Sequence, residues 1–280
     1  MINCEPKVKI LADSISEKGI RLTTFELEYW RAIHSEIMTH RVFSRNARSS
    51  RATPIKVNIQ NVKDNPWGPK HWTIEDKGMV AKSEIPASAL SQIEDVWLQM
   101  ARGTATFAEQ LGYLNLHKQI VNRIIEPYSS IQVVLSATDF KNFFKLREDS
   151  HAQPEMQDLA RAMHKAMYDS EPVLLHEGEW HLPYVNQEEK DTLDIDTLKD
   201  ISVARCARVS YKAFDGSFTI EKDLELAKKL KENKHMSAFE HIATPAPEGG
   251  YLHSNFRGWN QYRKFIPDEY QREVKYDVLL

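Results

Sequence analysis

The spacing of apolar and polar positions changes several times along the chain, and each change predicts an element. Residues 8–11 form a short apolar run, read as a strand, and Glu17, Lys18 and Gly19 behind it are turn material. Over 21–29, Leu22 and Thr24 alternate with Thr23, Phe25, Leu27 and Tyr29, which predicts a second strand. Ala32, Ile33, Ile37 and Met38 then move to helical spacing. No period is visible over 52–86, where Pro54, Pro66, Gly68 and Pro69 surround Trp67 and Trp72, so this stretch reads as a long loop. Its tryptophans could cover a planar ligand or pin the loop to the body.

From Ala87 a helix is expected, with Ile93, Val96, Trp97, Met100 and Phe107 on one stripe, as core or as a subunit contact, and with Gly103 as a possible break. A second amphipathic helix is expected over 115–127, ended by Pro127. Ser136 and Asp139 read as a capping box for a helix holding Phe140, Phe143, Phe144 and Leu146. Pro154 suits the first turn of the next helix, whose stripe is Met156, Leu159, Met163 and Met167. Residues 171–200 are acidic and irregular, read as an insertion or lid. Helices are expected again over 201–214 and Ile220–Glu232.

The length of 280 residues allows one large domain or two ordinary ones. A net charge of −3 confines any anion affinity to local patches. No apolar run approaches the roughly 18 residues needed to span a bilayer, and the N-terminal residues lack the apolar core of a signal peptide. With two cysteines, Cys4 and Cys206, a disulfide framework and a four-cysteine zinc site are excluded, and a reduced cytoplasmic compartment is the expectation. His176, Glu177, Glu179 and His181 lie close together but match no zinc spacing, so no metal is expected.

One stretch carries candidate chemistry. Residues 31–54 gather Arg31, Arg41, Arg45, Arg48 and Arg51 among His34, His40, Ser44, Asn46, Ser49 and Ser50. If the helix beginning near Arg31 continues, Arg41, Arg45 and Arg48 share a face. Guanidinium forks, hydroxyls and an amide at one spot suit a phosphate-bearing ligand. A solvated basic helix end is the other reading. Residues 256–264 form a second basic and aromatic patch, so a nucleic-acid-binding module stacking bases on Phe43, Trp259 and Tyr262 is an alternative from another class.

Three blocks resemble the flavin-dependent thymidylate synthases. His40, Arg41, Ser44, Asn46, Ser49 and Arg51 fall on the positions of that family's signature, Arg-His-Arg followed after seven residues by Ser. Arg123, then Asn142, Phe143, Leu146, Arg147, His151, Ala152 and Gln153, are similar to its nucleotide-binding arginine and its Leu-Arg…His-Ala-Gln run. Ala207, Arg208, Val209, Ser210 and Tyr211, with His235, Ser237, Phe239, Glu240 and His241, resemble two further blocks. In the family the Phe-Glu-His block precedes the Arg-His-Arg block. Here it follows, which a circular permutation would explain, with 171–200 bridging the old termini.

The resemblance implies a single α+β domain over 1–280, an antiparallel sheet flanked by helices. It implies reductive methylation of dUMP to dTMP, with FAD as cofactor and NADPH and methylene-tetrahydrofolate as co-substrates, in a cytoplasmic homotetramer with shared active sites. Carried over by position, Ser49, Arg51, Arg123 and Arg147 hold the nucleotide together with Glu36. His40, Arg41, Ser44, Asn46, Asn142, His235 and Ser237 face FAD. Arg147 is the catalytic residue, its cation favouring ionisation of uracil N3 so that C5 attacks without a cysteine adduct. The partners implied are a pyrimidine nucleotide and a folate; neither a membrane nor nucleic acid is expected. Departures from the pattern are Thr39 for the first arginine, Glu36 for a glutamine, Ala47 for a glutamate, and Ser136 and Thr138 for an asparagine and an arginine that usually touch flavin. They leave open a hydroxymethylating relative, or one acting on another pyrimidine nucleotide.

Overall fold

The computed structural model describes residues 1–77, 81, 83–209, 219–247, 255–267 and 269. Strands β1 (Lys7–Ser16) and β2 (Arg21–Trp30) form an antiparallel hairpin closed at Gly19, whose φ of +72° suits a residue without Cβ. A turn leads into the short helix α1 (His34–Ile37), and the edge strand β3 (Ser44–Ala47) follows. Helices α2 (Ile55–Asp64), α3 (Ala87–Tyr113) and α4 (Lys118–Ile124) precede β4 (Ser130–Ala137). Then come α5 (Lys141–Arg147), α6 (Pro154–Tyr168), β5 (Val173–Leu175), α7 (Gln187–Thr192), α8 (Ile195–Ala207) and α9 (Ile220–Glu232). A small antiparallel pair, β6 (Ala243–Pro245) and β7 (Trp259–Gln261), completes the described chain.

The fold is α+β. Five strands run in the order β3-β4-β2-β1-β5, antiparallel except for the short parallel pairing of β5 with β1. On one face Phe25, Leu27, Ile131 and Val133 pack against Phe143 of α5 and Met156, Leu159 and Met163 of α6. On the other face Val134 meets Val203 and Cys206 of α8, Ala227 of α9 and Phe239. Helices α2, α3 and α4 share a separate apolar cluster built on Ile59, Val62, Ala101, Ala105 and Val121.

Several expectations are corrected. The helix after Arg31 ends at Ile37, so Arg41, Arg45 and Arg48 do not share a helical face; residues 44–47 pair with β4 instead. The stretch 52–86 contains α2, whose Ile55, Ile59 and Val62 face inward. Trp67 is buried and Trp72 meets the ring of Trp97, so these tryptophans pin the segment to α3. Gly103 lies inside an unbroken α3. The buried side of α3 is Ala101, Ala105 and Ala108, while Val96, Met100 and Phe107 are exposed. Ser136 belongs to β4, so no capping box forms there; Asp139 alone accepts from the Lys141 amide, at 3.0 Å. The helix expected over 201–214 spans Ile195–Ala207, and Ser210 and Tyr211 of the third block lie outside the described residues.

A line of buried polar groups crosses the sheet. Ser14 Oγ lies 2.8 Å from His181 Nδ1, and His181 Nε2 lies 2.8 Å from Thr24 Oγ1. Thr24 is 2.6 Å from Ser136 Oγ, which is 2.8 Å from His241 Nδ1. Burial pulls both histidines down to about 3, so both rings are neutral at pH 7. His176 pairs instead with Glu17 at 2.9 Å, and among the described residues no cluster of three or more His, Cys, Asp or Glu could hold a metal. No described helix is long and apolar enough to cross a membrane.

Candidate functional site

The segment after β2 is shaped by Arg45. Its Nη1 donates to the carbonyls of Ile37 at 3.0 Å and His40 at 3.3 Å, which also accept from the backbone amides of His40 and Phe43, so the turn after α1 is held from both chain and side chain. That capture turns the chain into β3, leaving Arg41 exposed and burying the Ser44 side chain.

Arg147, in the last turn of α5, reaches back to this segment. Its Nη1 donates to Glu36 Oε2 at 2.7 Å, its Nε to His40 Nε2 at 3.0 Å and its Nη2 to Thr39 Oγ1 at 3.2 Å. His40 must therefore accept on Nε2 and be neutral. Burial and the neighbouring Arg147 and Arg45 cations hold it below the usual histidine range. Its ring stacks on Phe43 and meets the edge of Phe143, fixing the group that Arg147 leans on. Glu36 and Arg147 remain part exposed, so the ion pair can be approached from solvent.

A cleft of about 440 Å³ lies nearby in the fold. Asn46, Ser49, Arg51, His235 and Ser237 line it. Asn46 Nδ2 donates to Cys206 O at 3.4 Å, and Ser49 Oγ accepts from the Arg51 amide at 3.3 Å. His235 precedes the turn Met236–Glu240 and Ser237 lies within it, and this turn packs against β3. Arg123 shares an adjoining hollow with Arg51. Neither Arg51 nor Arg123 has a carboxylate within ion-pairing distance among the described residues, so two free guanidiniums are presented there.

Nine of the twelve expected site residues thus fall into two groups, Glu36, His40 and Arg147 in one, and Asn46, Ser49, Arg51, His235 and Ser237 with Arg123 in the other. Arg41 and Asn142 are exposed apart from the cleft lining. Ser44 is buried, its hydroxyl accepting from Gln261 Nε2 at 2.9 Å, and Gln261 also donates to Glu240 O at 2.8 Å. Gln261, which sequence reasoning missed, therefore ties β3 to the turn bearing Ser237. His117 and Gln119 also line the cleft and carried no sequence signal beyond a helix start. Burial pushes the Cys206 thiol far up, and burial and then Glu5 raise that of Cys4, so neither suits a nucleophile.

An α+β fold with free guanidiniums beside a cleft of amide, hydroxyl and imidazole groups defines a protein equipped for an anionic ligand. The sequence model described as thymidylate synthase complementing protein matches residues 21–173, over half of the chain. The chain belongs to that family. The first two motif blocks lie within the match and the third lies beyond it.

No curated protein sequence matches the chain. Among solved structures, PolB, a UMP/dUMP methylase from Streptomyces cacaoi bound with 5-Br UMP, is similar with a TM-score of 0.52 and 13% identity. That match covers 62% of this chain and 92% of PolB. The flavin-dependent thymidylate synthase ThyX from Helicobacter pylori, complexed with FAD and dUMP, matches with a TM-score of 0.37 and 19% identity, over 52% of this chain and 67% of that one.

Proposed function

We propose that the protein is a flavin-dependent thymidylate synthase-type methyltransferase that converts dUMP to dTMP, with methylene-tetrahydrofolate as carbon donor and NADPH as reductant. The observation that carries this reading is the Arg147–His40–Glu36 contact, which joins two motif blocks inside the family match. In it, Ser49, Arg51 and Arg123 hold the nucleotide phosphate through charge-assisted hydrogen bonds. Arg147 stands against the pyrimidine, where its cation favours the N3 anion and so enriches C5. His40 keeps the guanidinium in place.

The cleft fits a flavin by its donor set. His235 and Ser237 are exposed with side chains unbonded among the described residues, and Asn46 adds an amide beside them. When bound, FAD supplies the redox chemistry of the transfer. Arg41 and Asn142 would reach a flavin held mainly by another chain, which accords with a homotetramer whose sites are shared. The exposed Val96, Met100 and Phe107 of α3 offer apolar surface for such an assembly. A single domain in permuted order accounts for the third block, beyond the family match, packing on β3.

A specific observation favours a second reading, another pyrimidine nucleotide. Glu36, standing for a glutamine, offers only acceptors and is already paired with Arg147. A carboxylate facing C4 accepts from the amine of cytosine but meets only the carbonyl acceptor of uracil. The test is turnover of purified, flavin-loaded protein with dUMP, UMP and dCMP, with the product identified by mass. Methylated dUMP supports the first reading, dCMP turnover lost in Glu36→Gln the second. Absence of bound flavin and of any turnover would overturn both.

A further inference from the structure

Alternate residues of 48–51 line different cavities. Ser49 and Arg51 line the cleft described above, whereas Arg48 and Ser50 line a second cavity of about 400 Å³. It lies where the start of β1, the end of β2 and the start of β4 meet α2 and α4. We propose that this cavity binds a pentose phosphate, either free or as the ribose-phosphate portion of a nucleotide.

Three features of the wall support that class. The first is its amides. Asn58 and Asn61 stand three apart on α2, with Asn65 just beyond its end, and Asn3 adds a fourth. None of these side chains bonds another group among the described residues. Asparagine is a poor helix former, so two of them facing a cavity from α2 weaken the helix without an internal bond in return. Each presents a donor and an acceptor, the pairing that sugar hydroxyls satisfy.

The second is Asn122, 1% exposed. Its Nδ2 donates to Ser50 O and Thr53 O, each at 2.8 Å, while its Oδ1 has no partner. A buried acceptor left open is costly, and the residue that carries it is part of the cavity wall.

The third is charge. Lys7 is paired with Glu28 at 2.9 Å and Arg31 with Glu126 at 3.2 Å. Glu28 also accepts from Ser130 Oγ at 2.8 Å. Arg48 is half-buried, with a 3.5 Å contact to Gln132 Oε1 and no carboxylate within ion-pairing distance. A half-buried guanidinium whose neighbouring carboxylate, Glu28, is already engaged by Lys7 and Ser130 suits one phosphate.

The aromatic residues argue against a base in the cavity. Trp67 and Tyr128 line it but are only 4% and 7% exposed, and the Tyr128 ring is engaged by the edge of Trp97. No free ring face remains for stacking.

The experiment is isothermal titration of the full chain carrying Arg51→Ala, which disables the first cleft. Ribose 5-phosphate, UMP, ribose and inorganic phosphate are titrated separately. Ribose 5-phosphate should bind at least tenfold more tightly than ribose or phosphate. Arg48→Gln should weaken it tenfold or more, and Asn61→Ala, at an exposed position that leaves folding intact, several-fold. UMP bound equally well through Arg48 identifies a nucleotide as the source, and UMP excluded identifies the free sugar phosphate. Absence of ribose 5-phosphate binding, or binding indifferent to both substitutions, would overturn the proposal.

Discussion

Lowering the pH from 7 to 5 should destabilise the fold through His181 and His241. Both titrate near 3 in the folded chain and near 6.5 when unfolded. Below pH 6.5 the unfolded chain takes up protons that the folded chain refuses. Their stabilising contribution is therefore complete above pH 6.5 and declines as the pH falls toward 3. Over 1.5 pH units below 6.5, at about 1.4 kcal/mol per unit, each histidine accounts for roughly 2 kcal/mol at pH 5. The two are linked through Thr24 and Ser136, so about 4 kcal/mol is the ceiling. That is a large share of an ordinary domain's roughly 5–15 kcal/mol. Urea unfolding followed by far-UV circular dichroism at the two pH values measures it. His241→Asn keeps a polar contact with Ser136 but removes one titration, so the difference between pH 7 and pH 5 should shrink by up to roughly 2 kcal/mol, with His34, which burial pulls down to about 4, contributing to what remains. Equal unfolding midpoints at both pH values in the unsubstituted chain would refute the reasoning.

Arg147→Ala should fold and retain flavin yet lose at least about 2 kcal/mol of transition-state stabilisation in kcat/KM; turnover near the starting level would remove Arg147 from its proposed role. Cys206→Ala combined with Cys4→Ser should leave activity within a few-fold, because burial keeps the Cys206 thiol protonated; a nucleotide adduct on either cysteine in mass spectrometry would say otherwise. Inactive Arg51→Ala and Ser237→Ala chains, dissociated gently and mixed, should regain part of the activity if these residues serve one site from different chains. An active monomer in light scattering would contradict shared sites.

The elements that were legible carry their own local signal. The alternation over 21–29 locates β2 to within a residue, and Ile220–Glu232 is a helix with the expected bounds. The errors arise where a distant partner decides. Residues 44–47 look like a helical continuation until β4 offers a sheet edge, and Ser136 looks like a cap until it is seen between Thr24 and Ser44 in the sheet register. Ile55, Ile59 and Val62 already had helical spacing, masked by the prolines around them. In the α3 stripe, spacing reported a face but not which face is covered: the alanines are inside and the large residues outside. At the site, the motif blocks named Arg147 and His40, but the hydrogen bond between Ser44 and Gln261 joins residues 217 positions apart and has no local trace.

Residues 48–51 form a partition between two cavities. Ordering a short backbone segment has an entropic cost that whichever ligand arrives first must meet. If both cavities are filled, the second ligand finds Arg48 through Arg51 already immobilised and binds more tightly for it. Thermodynamic reciprocity then requires the factor by which a sugar phosphate raises nucleotide affinity to equal the factor by which the nucleotide raises that of the sugar phosphate. Four residues of chain would thus let the supply of one metabolite tune the response to another without any change in the positions of the groups that bind either.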